Sequence, residues 1–124
     1  IHIISIKLNA QGYDEYINAG LKGQSENKYE VAGSNFSKAI TLNPKNPLAY
    51  YLRGKLFSEI GNNSDAIKDF TKVIELAPND NAGYYERAQI RQATKDLYGA
   101  LEDYSSAITL KPNWEKLFFP GRAR

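Results

Sequence analysis

Apolar residues recur along the chain with a helical period, in short runs interrupted by polar residues, glycine and proline. In the middle of the chain this pattern predicts a helix over about 47–60, with Tyr50, Gly54, Phe57 and Ile60 on one face. The sequence Gly-Asn-Asn at 61–63 interrupts the pattern, and a second helix is predicted over about 64–76. The residues predicted for its inner face are Ala66, Ile67, Phe70, Val73 and Ile74. The pattern therefore predicts a pair of antiparallel helices.

The predicted helix ends carry matching signals. Pro78 ends the second helix, because proline lacks the amide hydrogen and disfavours helix in the residue before it. Asn46 is a predicted N-cap for a helix whose first residue is Pro47, a position that tolerates proline. The other predicted caps are Asp80, Asn62 and Asp96.

The whole pattern recurs with a period of 34 residues, which Pro44, Pro78 and Pro112 mark. Other positions match in the same way when the chain is shifted by this period. The matched columns are Tyr16, Tyr50 and Tyr84; Gly20, Gly54 and Ala88; Ala32, Ala66 and Ala100; Phe36, Phe70 and Tyr104; Ala39, Val73 and Ala107; Ile40, Ile74 and Ile108; and Leu42, Leu76 and Leu110. A fixed period of this size indicates a stacked array, in which each helix pair buries its apolar surface against its neighbours.

These columns resemble those of the tetratricopeptide repeat (TPR) family, a 34-residue helix-turn-helix motif. The resemblance implies an all-α, right-handed α-solenoid of three repeats over 13–46, 47–80 and 81–114, forming a TPR domain over 13–112. The first repeat departs from the family pattern at Gly23 and Gly33, where a bulky apolar residue is expected. Interior glycine costs about 1 kcal/mol relative to alanine, so we expect its first helix to be the least stable part of the array.

Proteins that resemble this chain generally bind extended or helical peptides of partner proteins in a concave groove lined by the first helices. The resemblance therefore implies an adaptor or scaffold that is not an enzyme. The predicted groove residues are Ile17, Asn18, Leu21, Tyr51, Leu52, Lys55, Tyr85, Glu86 and Gln89. Tyr51 and Tyr85 lie one repeat apart and are the predicted anchors for an apolar or amphipathic segment. The alternative is that both tyrosines only pack between helices.

One TPR subgroup binds the C-terminal carboxylates of Hsp70 and Hsp90 chaperones through a clamp of lysine, arginine and asparagine residues. None of the five clamp positions matches in this chain, and a shift by one repeat recovers only Lys116. The residues at those positions are Ile17, Leu21, Leu52, Ala82 and Glu86. Because carboxylate capture needs converging cationic donors, the sequence argues against this type of binding.

Composition limits the other function classes. The net charge of +2, with acids interspersed among the bases, does not favour nucleic acid or an anionic membrane as the partner. The absence of cysteine excludes disulfides, thiol catalysis and zinc–thiolate sites. The only histidine, His2, lies before the repeats, and no phosphate loop, nucleophile elbow or metal-ligand cluster occurs. We therefore predict no enzyme activity, cofactor or metal.

Arg53, Arg87 and Arg91 form a cluster on the predicted first helices. A site for phosphate or an acidic ligand is one interpretation. The other is that their stems pack between helices while acidic residues neutralise their charges. The candidate acids are Glu86, Asp69 and Asp103.

The two ends of the chain fall outside the repeat pattern. Residues 1–12 are leader-like or loosely packed, and they are apolar apart from Lys7 and a few polar positions. One interpretation is a signal-peptide remnant of an exported protein. The other is a segment without function, such as a short strand. Residues 113–124 begin a further helix with Trp114, Leu117 and Phe118, but Pro120 follows closely. We expect a short capping stub, and the alternative function is a self-associating module that dimerises through its exposed C-terminal face.

Overall fold

The computed structural model describes the backbone over residues 2–110 and the side chains over residues 12–110. Helices are the only regular elements in this range: α1 (His2–Ser25), α2 (Tyr29–Leu42), α3 (Pro47–Glu59), α4 (Asn63–Leu76), α5 (Ala82–Ala93) and α6 (Leu97–Thr109). They pack as the pairs α1–α2, α3–α4 and α5–α6, and α2 also packs on α3 and α4 on α5. The prediction of an all-α solenoid of three helix pairs is confirmed.

The helix ends of the central repeat lie where the sequence predicted them. Asn46 caps α3, since its Oδ1 accepts the Leu48 N–H at 3.0 Å. In the next repeat Asp80 Oδ1 accepts the Ala82 N–H at 2.9 Å. The side chains of Asn62 and Asp96 cap α4 and α6 in the same way. The predicted caps Asn46, Asn62 and Asp96 are therefore confirmed, whereas the N-cap of α5 is Asn81 and Asp80 lies one residue before it.

The N-terminal segment joins the first helix of the array. The α1 backbone is helical from His2 onward, so the alternative of a short strand in residues 1–12 is wrong. The interpretation of this segment as a leader stays a prediction, and the predicted stub at 113–124 lies outside the described residues.

Within each repeat a small residue on the first helix faces an aromatic ring on the second. A Cβ built on Gly54 would lie 2.9 Å from the Phe70 ring, and one on Gly20 would overlap the Phe36 ring. Both phenylalanines are fully buried. Glycine is therefore required at these positions by the closeness of the aromatic ring, because protein interiors leave no slack for an added methyl group.

Two details of the predicted apolar face differ in the structure. Ile60 is 47% exposed, because α3 ends at Glu59 and Ile60 turns away as the C-cap. At Gly23 a Cβ would lie 3.2 Å from the backbone nitrogen of Ala32, so α1 and α2 meet there backbone to backbone. The bulky residue that the repeat pattern calls for at Gly23 has no room in this protein.

Candidate peptide groove

The first helices α1, α3 and α5 are joined side by side through polar side chains. Between α1 and α3, Gln24 Nε2 donates to Glu59 Oε1 at 2.7 Å. Between α3 and α5, the Tyr51 hydroxyl donates to Glu86 Oε2 at 2.9 Å. These contacts form a surface of three parallel first helices, which is where the sequence placed the candidate groove.

The predicted groove residues differ in how accessible they are. Asn18, Leu21, Lys55, Tyr85 and Gln89 are exposed, and Tyr51, Leu52 and Glu86 are partly buried. Ile17 is only 7% exposed and belongs to a core cluster with Phe36 and Leu56. The prediction that Ile17 lines the groove is wrong, because the helical turn that exposes Asn18 directs Ile17 between α1 and α2. Leu52 packs against the same cluster along one side.

Tyr51, Lys55 and Glu86 form a connected polar cluster at the α3–α5 junction. Lys55 Nζ lies 3.3 Å from Glu86 Oε2, and the same oxygen accepts the Tyr51 hydroxyl. The Glu86 side chain is 13% exposed, whereas that of Lys55 is 46% exposed. Burial, together with the hydrogen bond to the Glu86 carboxylate, raises the pKa of Tyr51 to about 12. The Tyr51 hydroxyl is therefore a neutral donor throughout the physiological range.

Both tyrosines combine packing with exposure. The Tyr51 ring meets Phe70 edge to face at a centroid distance of 5.9 Å, so its inner edge belongs to the core. Tyr85 packs edge-on against Tyr104 at 6.1 Å and remains 47% exposed. Gln89 Nε2 donates to the Tyr85 hydroxyl at 3.3 Å. One edge of each tyrosine ring therefore packs between helices, as the alternative interpretation predicts. The rest of the Tyr85 ring is exposed to solvent.

Two cavities lie along α3 and α5, one lined by Tyr51 and the other by Glu86. An apolar cavity of about 310 Å³ lies at the start of α3 and α5, where Pro47, Leu48 and Ala82 face Tyr51. A polar cavity of about 220 Å³ lies at the other end of these helices and includes Glu86 in its wall. We did not predict Leu48 as a groove residue, although its position one helical turn before Tyr51 places both on one face.

The arginine cluster is neutralised within the described structure. Arg53 binds Asp69 through two hydrogen bonds of 2.8 Å each, and Arg87 binds Asp103 with the same geometry. Arg91 Nη1 also donates to Asp103, at 2.9 Å. Of the three candidate acids, Asp69 and Asp103 are confirmed, while Glu86 contacts Lys55 and Tyr51 instead. The cluster is therefore part of the packing between helices.

No cation converges at the positions of the carboxylate clamp that the structure describes. Ile17 is buried, Leu21 and Leu52 are apolar, and Glu86 carries a negative charge where the clamp requires a positive one. Lys116, recovered by the shifted register, lies outside the described residues.

The described residues contain neither a cluster suited to a metal ion nor a helix suited to a membrane. Among them, no group of three or more histidine, cysteine or carboxylate side chains is placed to hold a metal ion. Over residues 2–110, no helix combines the length and the apolar composition needed to cross a membrane.

Comparisons with known proteins agree with the fold. A tetratricopeptide repeat model matches residues 47–80, and a second TPR repeat model matches residues 25–61. A comparison with curated protein sequences finds no significant match.

Several solved structures are similar in fold. The second TPR of Spaghetti (RPAP3), bound to the HSP90 peptide SRMEEVD, is 23% identical with a TM-score of 0.76, over 86% of this chain and 99% of that one. The Arabidopsis OM64 TPR domain is 23% identical with a TM-score of 0.77, over 85% of this chain and 87% of that one. MamA is 20% identical with a TM-score of 0.77, over 90% of this chain and 61% of that one. The matched repeats, the 34-residue period and the three stacked helix pairs together show that the chain belongs to the tetratricopeptide repeat family, whose fold is that of a protein–protein interaction module.

Proposed function

We propose that this protein is an adaptor or scaffold that binds an apolar or amphipathic segment of a partner protein along α1, α3 and α5. The observation that carries the proposal is the exposed Tyr85 ring on α5 together with the apolar cavity that Tyr51 of α3 lines. Aromatic residues with one polar end are enriched in protein interfaces, because they bury a large area and still hydrogen-bond. No catalytic role is proposed for any residue.

The proposed partner segment is not a chaperone C-terminus. The solved Spaghetti TPR is bound to the HSP90 peptide SRMEEVD, which is rich in acidic residues. In the present chain Glu86 occupies a clamp position, and its charge opposes a peptide carboxylate. The proposed ligand is therefore an internal segment, or a terminus that is not recognised through its carboxylate.

The test is loss of partner binding when both groove tyrosines are replaced. Partners captured from a lysate with the purified protein are identified, and the binding segment is mapped with overlapping synthetic peptides. For the mapped peptide we expect the variant Tyr51→Ala/Tyr85→Ala to bind at least about tenfold more weakly, because truncating interface aromatics costs 2 kcal/mol or more at a hot spot.

Tyr98→Ala is the matched control, because Tyr98 is 86% exposed on α6, away from the groove. Circular dichroism verifies that each variant is folded. Unchanged peptide affinity in the folded double variant would overturn the proposal.

The alternative function is self-association through α6. Its exposed apolar side chains are Leu97, Tyr98, Leu101 and Ile108, at 62, 86, 64 and 70% exposure. The equivalents of Ile108 in the other repeats, Ile40 and Ile74, are partly buried because the next helix pair packs against them. We propose a second copy of the chain as the occupant of this face, since apolar faces of this kind commonly mark protein interfaces.

Sedimentation velocity over a concentration series tests the alternative. We expect a dimer that Leu101→Glu converts to a monomer, with Lys68→Glu on the exposed surface of α4 as the control. A monomer at every concentration removes this alternative.

A further inference from the structure

The polar cavity of the groove is lined by hydroxyl, amide and carboxylate groups, and none of its lining residues is cationic. Its lining residues are Ser58, Asn63, Glu86, Gln89, Ile90 and Ala93. At about 220 Å³ it is smaller than the cavities of roughly 300–1,000 Å³ that hold whole small molecules. Its size therefore fits the end of one side chain.

Three helix ends lie beside this cavity. α4 begins there at Asn63, and its partially positive end is offset by the Asn62 cap and by Asp65 in its first turn. The other two helices end there with their carbonyl groups. α3 ends at Glu59, directly after Ser58, and α5 ends at Ala93. The C-terminus of a helix carries a partial negative charge, which favours a nearby cation. The last turn of α3 has no basic residue. The one in the last turn of α5, Arg91, is held by Asp103 and Asp96. Neither end is therefore neutralised by a cation directed into the cavity.

The Glu86 carboxylate adds a full negative charge that the chain only partly compensates. Lys55 reaches it from α3 with contacts of 3.3 and 3.4 Å, and the Lys55 side chain is largely solvent-exposed. Because the Lys55 ammonium is largely solvated, it offsets the Glu86 charge only in part, and a second cation gains from approaching the same carboxylate.

The Tyr51–Glu86 hydrogen bond connects the polar cavity with the apolar one. Tyr51 lines the apolar cavity and Glu86 lines the polar one, so their hydrogen bond links the linings of the two cavities. We propose that the groove recognises a segment that places an arginine or lysine side chain in the polar cavity and an apolar side chain in the neighbouring one. This inference rests on the proposed function and specifies the chemistry of its ligand.

The test uses synthetic peptides without terminal charges, acetylated at one end and amidated at the other. Each contains one leucine and one variable residue, separated by alanine spacers of increasing length so that the correct distance between the cavities is sampled. The variable residue is arginine, citrulline or glutamate, and citrulline keeps the shape of arginine without its charge. By fluorescence anisotropy we expect arginine peptides to bind about tenfold more tightly than citrulline peptides, because hydrogen bonds to a charged group are the stronger ones. Glutamate peptides are expected to bind most weakly.

Two variants with opposite expected effects localise the preference. Glu86→Gln removes the charge but keeps the shape, and should reduce the preference for arginine over citrulline to about twofold or less. Lys55→Gln removes the competing cation and should increase that preference. A role of these residues in folding alone would change all peptides alike.

Equal binding of arginine and citrulline peptides overturns the cationic preference. If both peptides bind equally and the Tyr51→Ala/Tyr85→Ala variant binds neither, the proposed function stands and only the preference for a cation is removed. Binding that survives the double tyrosine replacement overturns the proposed function itself. If none of the synthetic peptides binds, the proposed cationic and apolar ligand is wrong. The peptide mapped from a lysate partner then remains the test of the proposed function.

Discussion

Arg53 and Arg87 each join three helices through one guanidinium group. Besides the aspartate of its own repeat, each arginine donates from Nη1 to a hydroxyl of the preceding repeat at 3.0 Å: Arg53 to Ser37, and Arg87 to Thr71. Hydrogen bonding to Asp69 and Asp103 raises the pKa of both arginines further above its usual value. The side chains are thus fixed cations that couple neighbouring repeats, and Ser37 and Thr71 are 34 positions apart.

We predict that Asp103→Ala destabilises the protein by about 3–5 kcal/mol, because removing one partner leaves buried charge unpaired. Asp103 accepts from both Arg87 and Arg91, whereas Asp69 accepts from Arg53 alone. Asp69→Ala should therefore cost less, about 2 kcal/mol. Urea unfolding followed by circular dichroism measures both values. Equal losses would contradict the idea that Asp103 holds two cations.

The pKa of Tyr51 predicts a loss of stability in alkali. Since the folded-state pKa of about 12 lies above the ordinary value of 10.0, the neutral form is favoured by folding. Its contribution is fully present below pH 10 and is lost as the pH rises towards 12. Absorbance of tyrosinate during a pH titration should contain a late component that disappears in Tyr51→Phe. A late component that persists in this variant would assign the shift to another tyrosine.

At the scale of the helical elements, the same turn joins the two helices of every repeat. Asn27, Gly61 and Lys95, at equivalent positions, have φ of 61, 83 and 71°. In the central repeat Asn62 N–H donates to Phe57 C=O at 2.8 Å, and Gly61 N–H to Ser58 C=O at 3.1 Å. This is the Schellman arrangement, which the other two repeats reproduce. Glycine adopts the left-handed conformation without strain, asparagine tolerates it, and lysine is unfavourable there.

Lys95→Gly should therefore stabilise the protein by about 1 kcal/mol, because it relieves the cost of a left-handed residue that has a Cβ. Gly61→Ala should destabilise the protein by a similar amount. The added Cβ would meet nothing within 4 Å, so the strain of the left-handed backbone is the only cost. Lys95→Ala is the control that removes the lysine side chain and keeps the strain. Thermal unfolding measures all three, and an equal gain from Lys95→Ala would attribute the effect to the side chain.

At the scale of the whole molecule, stability comes from stacking, so each repeat depends on its neighbours. The first repeat lacks the arginine–aspartate pair, because Ala19 and Asn35 occupy the equivalent positions. It also contains Gly23 in the interior of α1. Both features weaken this repeat relative to the central one, which is covered on both sides.

Hydrogen exchange monitored by mass spectrometry should therefore show that residues 13–42 exchange faster than residues 47–76, as expected for local opening from one end of the array. The reason is the missing ion pair and the lower helix propensity of glycine. Slower exchange in the first repeat than in the central one would contradict this ranking. A variant with Arg53→Ala serves as a comparison, because it removes the corresponding pair from the central repeat.

How much the sequence reveals of the candidate site differs from residue to residue. The resemblance to the TPR family predicts Tyr51 and Tyr85 as groove residues, and cap chemistry predicts Asn46 and Asp96 as the helix caps that the structure contains. Ile17 was misplaced, because a pattern of period 3.6 does not resolve whether a residue at the border of a face points into the core or the groove. The left-handed turn at Lys95 also gave no signal, since lysine is not a residue that favours that conformation.

The sequence by itself determined the architecture of this protein, because the 34-residue repeat records the contacts that each helix pair makes with the next. Only the tertiary structure decided which polar groups meet across the repeats. Glu86 was a candidate partner of the arginines, and the structure places it with Tyr51 and Lys55, between an apolar and a polar cavity. The physical reason is that periodicity specifies which face of a helix is buried, whereas hydrogen bonds between helices depend on distances set by packing.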